Sequence, residues 1–336
     1  MHGTSARNGR LHVDVVTTSA GLDHIGDDVR AGLLSPQKSV PPKYFYDDYG
    51  ARLFDAICDL PEYYLTRTEQ ALLAAVADEI IALAAPADIV EFGSGAARKT
   101  RTLLEAVQRT ANAARYVPVD VSEEMLLRAA HALLDDFPRL RIHAIVGDYE
   151  RDLNRLPTGQ RRLVLFLGSS IGNFTPAATR HFLSNLRQQL STGDHLLLGV
   201  DLVKATPILE AAYNDSAGLT AAFNRNVLHV INRHLGGDFH ADRFEHVAFF
   251  NEAQSQIEMH LRAGGAHTVT LRGLNLSVPF RAGETIHTEI SRKFTRAEVE
   301  SALQTAGFVL RRWYTPANHY FGLALASAAD AQSAHR

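Results

Sequence analysis

The sequence predicts an α/β protein: a mostly parallel, helix-covered sheet with a second α+β lobe set into it. Two observations carry this. From about residue 67 to 203, short apolar runs alternate with amphipathic stretches. The runs also lack internal polar alternation, as strands buried on both faces do. A third observation gives the second lobe, because residues 204–293 break the alternation and end as a meander of strands.

The elements follow in chain order. Residues 1–66 read as irregular, with PPK at 41–43 and then YFYDDYG, and they are assigned to the second, substrate-binding lobe. Thr66 and Glu69 have the spacing of a capping box, and Leu72, Val76, Ile80 and Leu83 form the apolar stripe of the helix they would start. Strands are expected at DIVEF (88–92), YVPVD (116–120), HAIVGD (143–148), RLVLFLG (162–168) and HLLLGVD (195–201). Thr175-Pro176 supplies an N-cap and a first-turn proline for one intervening helix.

The inserted part, 204–293, begins helical and continues as QIEMHLRA, HTVTLRGLNLSVPF and TIHTEISRKF. From 294 the core resumes. Thr295 and Glu298 form another capping box, Gly307 can stop the helix, and FVLRRWY and HYFGLALA read as closing strands. The core is therefore 67–203 with 294–336, and the lobe is 1–66 with 204–293. A cleft between two lobes is a usual place for a ligand. The tail from Ser327, SAADAQSAHR, reads as disordered.

Composition narrows the function. A chain of 336 residues, 46% hydrophobic, can bury a large core, and a net charge of -3 gives no basic footprint for nucleic acid or an acidic membrane. The single cysteine, Cys58, excludes an internal disulfide and fits a reducing cytoplasm; its apolar neighbours suggest a buried, inert thiol. No window approaches the roughly 20 apolar residues of a membrane span. Sixteen histidines occur without metal-site spacing, so no metal is expected. A soluble, cytoplasmic monomer is the expectation.

The sharpest motif is VEFGSGAARKT, residues 90–100, which follows a buried strand and opens a helix. Glycines there let the backbone turn tightly against a ligand at a helix N-terminus. The third glycine of the dinucleotide fingerprint is replaced by Arg98, which argues against a pyrophosphate and a nicotinamide oxidoreductase. Instead acids stand at three successive strand ends: Glu91, Asp120 and Asp148. They suit a cationic amine and sulfonium, ribose hydroxyls and an adenine amino group respectively. Alone, each acid would more often be a helix N-cap. Together beside GSG they form the S-adenosylmethionine pattern of class I methyltransferases, with a Rossmann-like sheet.

With that ligand assigned, PPKYFYDDYGARLFDAICDLPEYYLTRTE, LVLFLGSSIGNF, LLLGVDLVK, AAFNRNVLHVINR and TEISRKF become informative. From about Asp28 to Ala326 the chain closely resembles the histidine Nα-methyltransferases of ergothioneine biosynthesis, which convert L-histidine to the betaine hercynine. The resemblance implies a cofactor site at Gly93, Lys99, Asp120, Asp148 and Tyr149. It implies an amino-acid clamp at Tyr46, Gly168, Asn173 and Tyr213, and an imidazole pocket at Tyr63, Met259, Glu289 and Ser291. Tyr46 and Asn173 would orient the amine, and no covalent nucleophile is expected.

Each of these residues also has a plainer reading: Asn173 in a turn, the tyrosines as packing residues, Met259 as core filler. Glu289 and Ser291, two residues apart, would share one face of a strand. A related enzyme acting on tryptophan or tyrosine remains the nearest alternative, and a non-catalytic sensor of S-adenosylmethionine or histidine a remoter one.

Overall fold

The computed structural model describes residues 4–6, 9–16, 24–110, 114–159 and 161–329. Its strands are β1 (Thr4–Ala6), β2 (Leu11–Val15), β3 (Lys38–Ser39), β4 (Asp88–Phe92) and β5 (Arg115–Asp120). Next come β6 (Arg141–Val146), β7 (Arg162–Phe166), β8 (His195–Asp201), β9 (Phe244–Asn251) and β10 (Gln256–Ala263). The last are β11 (His267–Leu271), β12 (Leu276–Phe280), β13 (Thr285–Arg292), β14 (Phe308–Tyr314) and β15 (Phe321–Ala328). The chain divides into two compact units: Met1–Thr17, Leu65–Val203 and Lys293–Arg336 form one, Thr18–Tyr64 and Lys204–Arg292 the other.

The described residues of the first unit build a nine-stranded sheet in the order β1-β2-β6-β5-β4-β7-β8-β15-β14. Pairing from β2 to β8 is parallel, while β15 runs antiparallel to both β8 and β14. This is the α/β arrangement the sequence predicts, a mostly parallel sheet. Strand alternation explains why the apolar runs are unbroken. Ile89 of β4 joins the apolar layer that includes Leu73 and Leu103, while Val90 and Phe92 join the opposite layer with Phe182 and Leu303. Both faces are covered, so no position could be polar without a buried partner.

Four expectations need correction. Residues 11–15 lie in the main sheet and not in the second lobe: Leu11 and Val13 are buried and β2 pairs in parallel with β6. The helix Tyr64–Ala84 begins before Thr66, so Thr66 and Glu69 form no capping box; Glu69 is fully buried inside the first unit. Ser327 and Ala328 belong to β15, Ser327 paired with His195 and Val309 and Ala328 with Phe308, and only 330–336 of the expected disordered tail lie outside the described residues. Cys58 is partly exposed. By contrast, Thr175 caps the helix Pro176–Gln189, and the Thr295–Glu298 box closes on both sides as the sequence predicts.

The chain leaves and re-enters the first unit along paired segments. Phe294 N–H donates to the Asp201 carbonyl and Val203 N–H to the Phe294 carbonyl. Beside them Lys293 and Asp201 form an ion pair of 2.9 Å with both side chains fully buried.

In the second unit, β3-β13-β10-β9 form a four-stranded sheet, and β11 and β12 make a separate hairpin. The helix Leu219–Leu235 buries Phe223, Val227 and Ile231. Strand β9 was absent from the sequence reading; its run FEHVAFFN mixes burial classes instead of alternating cleanly. No helix among the described residues is long and apolar enough to cross a membrane.

Candidate active site

In the first unit the loop after β4 turns through two left-handed glycines, Gly93 at φ +65° and Gly95 at φ +48°. Gly93 N–H donates to Val119 of β5, which ties the loop to the neighbouring strand end. Asp120, the last residue of β5, accepts from Gly95 N–H at 2.9 Å and from Ser122 N–H at 3.0 Å. Burial raises its carboxyl above the usual range, and these backbone N–H groups oppose the shift. Each carboxylate oxygen retains a lone pair, so ribose hydroxyls can still be accepted there.

Asp148 ends the β6 turn and accepts from Glu150 N–H at 2.9 Å. The Tyr149 ring lies against Phe92, Phe166 and Phe182, and burial raises its phenol. Space beside Gly95 is open, since a Cβ there would meet nothing within 4 Å. Ser94 Oγ is buried and makes no hydrogen bond among the described residues. A tight turn, an acid at the next strand end and an orphaned hydroxyl together fit a nucleoside carrying a positive charge.

Glu91 takes a different role from the one its position suggests. It shares the face of Ile89, and its Oε2 accepts from Thr100 of the following helix and from Tyr116 of β5. Burial pushes this carboxyl up to about 7 against the pull of those donors and of Lys99. It ties strand to helix beneath the loop.

Lys99 pairs with Glu69, whose two oxygens also accept the Gly168 N–H at 2.9 Å. Gly168 has φ +75° and begins the turn after β7, and Asn173 closes the short helix Ser170–Asn173 that follows. Lys99, expected at the cofactor, and Gly168, expected in the clamp, therefore meet through Glu69. Sequence reasoning missed this because a Glu three residues after Thr reads as a cap.

The second unit gathers the other predicted residues. Tyr46 packs edge-on to Phe54 and Phe223, Phe54 meets Tyr63, and Tyr63 meets Tyr213 at 6.2 Å. Tyr213 Oη donates to Ser291 Oγ at 2.8 Å in a buried contact. Burial holds the Tyr63 phenol well above its usual range, with Tyr213, Cys58, Tyr46 and Glu289 adding to the shift. Six of the thirteen predicted residues thus belong to this unit: Tyr46, Tyr63, Tyr213, Met259, Glu289 and Ser291. Gly168 and Asn173 belong to the first.

A β-bulge decides which way Glu289 points. Met259 pairs with Glu289 but His260 pairs with His287, so Thr288 is the extra residue. Paired residues share a face; hence Glu289 and Ser291 lie with Met259 and Ile257, while His287 lies on the opposite face with His260. An unbroken strand would have put His287, Glu289 and Ser291 together. Thr288 itself is buried, donating to Asn224 Oδ1 at 2.7 Å and reaching the Met259 carbonyl at 3.0 Å.

Among the described residues, folding also assembles two three-donor groups that linear spacing hides, His12–Asp14–His143 and Glu258–His260–His287. In each, a histidine already meets a carboxylate, His143 to Asp14 at 2.8 Å and His260 to Glu258 at 3.2 Å.

Comparison with known proteins adds the chemistry. A family profile described as "Histidine-specific methyltransferase, SAM-dependent" matches residues 25–328. A histidine N-alpha-methyltransferase of Mycolicibacterium smegmatis is 50% identical over 89% of this chain and 93% of its own length. One from Mycobacterium tuberculosis is 46% identical over 89% of this chain and 94% of its own. Ergothioneine biosynthesis protein 1 of Neurospora crassa is 31% identical over 84% of this chain and 32% of that longer protein.

Proposed function

Since the chain belongs to the SAM-dependent, histidine-specific methyltransferase family, we propose that it trimethylates the α-amine of L-histidine, giving hercynine for ergothioneine biosynthesis. The observation that supports the substrate most is the bulge at Thr288, which sets Glu289 and Ser291 on the same face as Met259. A carboxylate and a hydroxyl on one apolar wall suit a small ring with two nitrogens. A ring that cannot donate to the carboxylate would leave it desolvated and unpaired, a loss that selects for imidazole.

When bound, S-adenosylmethionine supplies an electrophilic methyl carbon. We assign its holding to Gly93, Lys99, Asp120, Asp148 and Tyr149. The side chains of this protein have three further tasks. The amine must be held neutral, with its lone pair free. The Asn173 amide would donate to the substrate carboxylate and accept an amine N–H, and the Tyr46 hydroxyl would accept another. Tyr63, kept protonated by burial, would donate without acquiring charge, and Tyr213, bonded to Ser291, would accept from the amine. Orientation then supplies much of the rate, and neither a strong base nor a covalent nucleophile is required.

The enzyme is proposed to act as a cytoplasmic monomer. The nearest competing substrate is tryptophan or tyrosine, whose bulkier rings fit poorly against Met259, which is 1% exposed and packed in the sheet. Incubation with S-adenosylmethionine and each amino acid separately, followed by mass spectrometry, tests the assignment. Histidine should gain one, two and three methyl groups; methylation of tryptophan or tyrosine in preference, or of no amino acid, would overturn it.

A further inference from the structure

Glu69 has no place in the cofactor, clamp or ring assignments, yet it touches two of these groups. It lies on the helix Tyr64–Ala84 and is fully buried. It pairs with the Lys99 ammonium, in the first turn of the helix Arg98–Gln108, and accepts the Gly168 N–H with both oxygens. The surroundings are shaped to admit it. A Cβ at Gly199 of β8 would stand 2.2 Å from Glu69 Oε1, so the strand carries no side chain there. A Cβ at Gly168 would stand 3.2 Å from Lys99 Nζ.

A buried charge pair is a poor route to stability alone, because well-packed apolar side chains of the same volume often do as well or better. A carboxylate kept in such a place, bonded to one group from each half of a ligand site, fixes geometry. We propose that Glu69 is a positioning residue for methyl transfer, holding the Lys99 ammonium and the Gly168 turn in a single orientation. This rests on the functional reading above for the roles of Lys99 and Gly168. Its role is to act through those two groups.

Glutamine separates the two contacts. Glu69→Gln keeps an oxygen for the Gly168 N–H but places a neutral amide against the ammonium. Glu69→Asp keeps the charge but, one methylene shorter, cannot reach both partners. For Glu69→Gln the expected result is a rise of tenfold or more in the KM for S-adenosylmethionine, with a smaller change in the KM for histidine. Glu69→Asp should recover part of the first and worsen the second. Because Glu69 and Lys99 act through one ion pair, the double variant Glu69→Gln/Lys99→Met should cost little more than Lys99→Met alone.

The proposal is overturned if folded Glu69→Gln has both KM values and kcat within twofold of wild type, or if the effects of Glu69→Gln and Lys99→Met add fully. Where Glu69→Gln does not fold, Glu69→Asp decides through the same KM split. Calorimetric binding of S-adenosylhomocysteine to wild type and variant runs in parallel. It reads the positioning of Lys99 without turnover, so failure of wild type to methylate histidine would sink the functional reading and leave this test standing.

Discussion

Replacing Glu289 by alanine should cost histidine binding more than any other single change in the ring pocket. Glu289 is half-buried on β13, opposite the buried Met259 and two residues from the buried Ser291. Its carboxylate is proposed to accept an imidazole N–H, and a hydrogen bond to a charged group contributes about 1.5–3 kcal/mol. At about 1.4 kcal/mol per tenfold, histidine affinity should fall about 10- to 150-fold. Glu289→Gln keeps an acceptor oxygen without the charge and should lose less, about fivefold to tenfold. Adding Met259→Val to the alanine variant opens space for an indole, so tryptophan should gain affinity while histidine loses it. Isothermal calorimetry with S-adenosylhomocysteine present measures both ligands. Histidine affinity within twofold of wild type in Glu289→Ala, with the fold intact, would refute the assignment of Glu289 to the ring.

Three further outcomes are expected. Lys293→Met removes the ion-pair partner of Asp201 where both side chains are fully buried, and should lower unfolding free energy by about 3–5 kcal/mol in chemical denaturation; a loss below about 1 kcal/mol would contradict the pairing. Asp120→Asn exchanges a carboxylate oxygen for an amide that cannot accept from both Gly95 and Ser122 N–H, so S-adenosylhomocysteine should bind at least about tenfold more weakly in calorimetry.

Glu91 gives a pH effect. Its folded value, about 7, lies above the ordinary 4.5, so the folded state holds the proton more tightly than the unfolded one. The stability this contributes is fully present below about pH 4.5 and is lost as pH rises through about 7, on the order of 3 kcal/mol in total. Glu91→Gln removes that dependence. Thermal unfolding from pH 5 to 8 should show wild type losing stability relative to the variant, and a constant difference across this range would be evidence against it.

Much of the sheet was legible because its strands are buried on both faces. Runs such as RLVLF and HLLLGVD admit almost no polar residue, and every one of their positions lies in the apolar layers or at their edge. The GSG turn was legible because a left-handed backbone favours glycine. Other features depend on partners distant in sequence. Glu69 looks like a cap until Gly168, 99 residues away, is brought to it. Glu91 looks like a ligand acid until Tyr116 and Thr100 close on it. The bulge at Thr288 is invisible in IHTEISRKF, since nothing in that nonamer shows that Thr288 will be drawn to Asn224 on a helix 64 residues earlier. Periodicity alone would have placed Glu289 beside His287. Asp120 and Asp148 are readable from their strand ends, but the assignment of the tyrosines, Met259 and Asn173 came from the family resemblance, because isolated tyrosines, a methionine and an asparagine carry no local signal of a ligand.

The most direct test of the whole account is the position of the transferred methyl groups. Purified protein incubated with L-histidine and S-adenosylmethionine carrying a 13C-labelled methyl group should give a product whose labelled carbons all lie on the α-nitrogen, three per molecule, by NMR. Label on a ring nitrogen, or no transfer to histidine at all, would contradict the account.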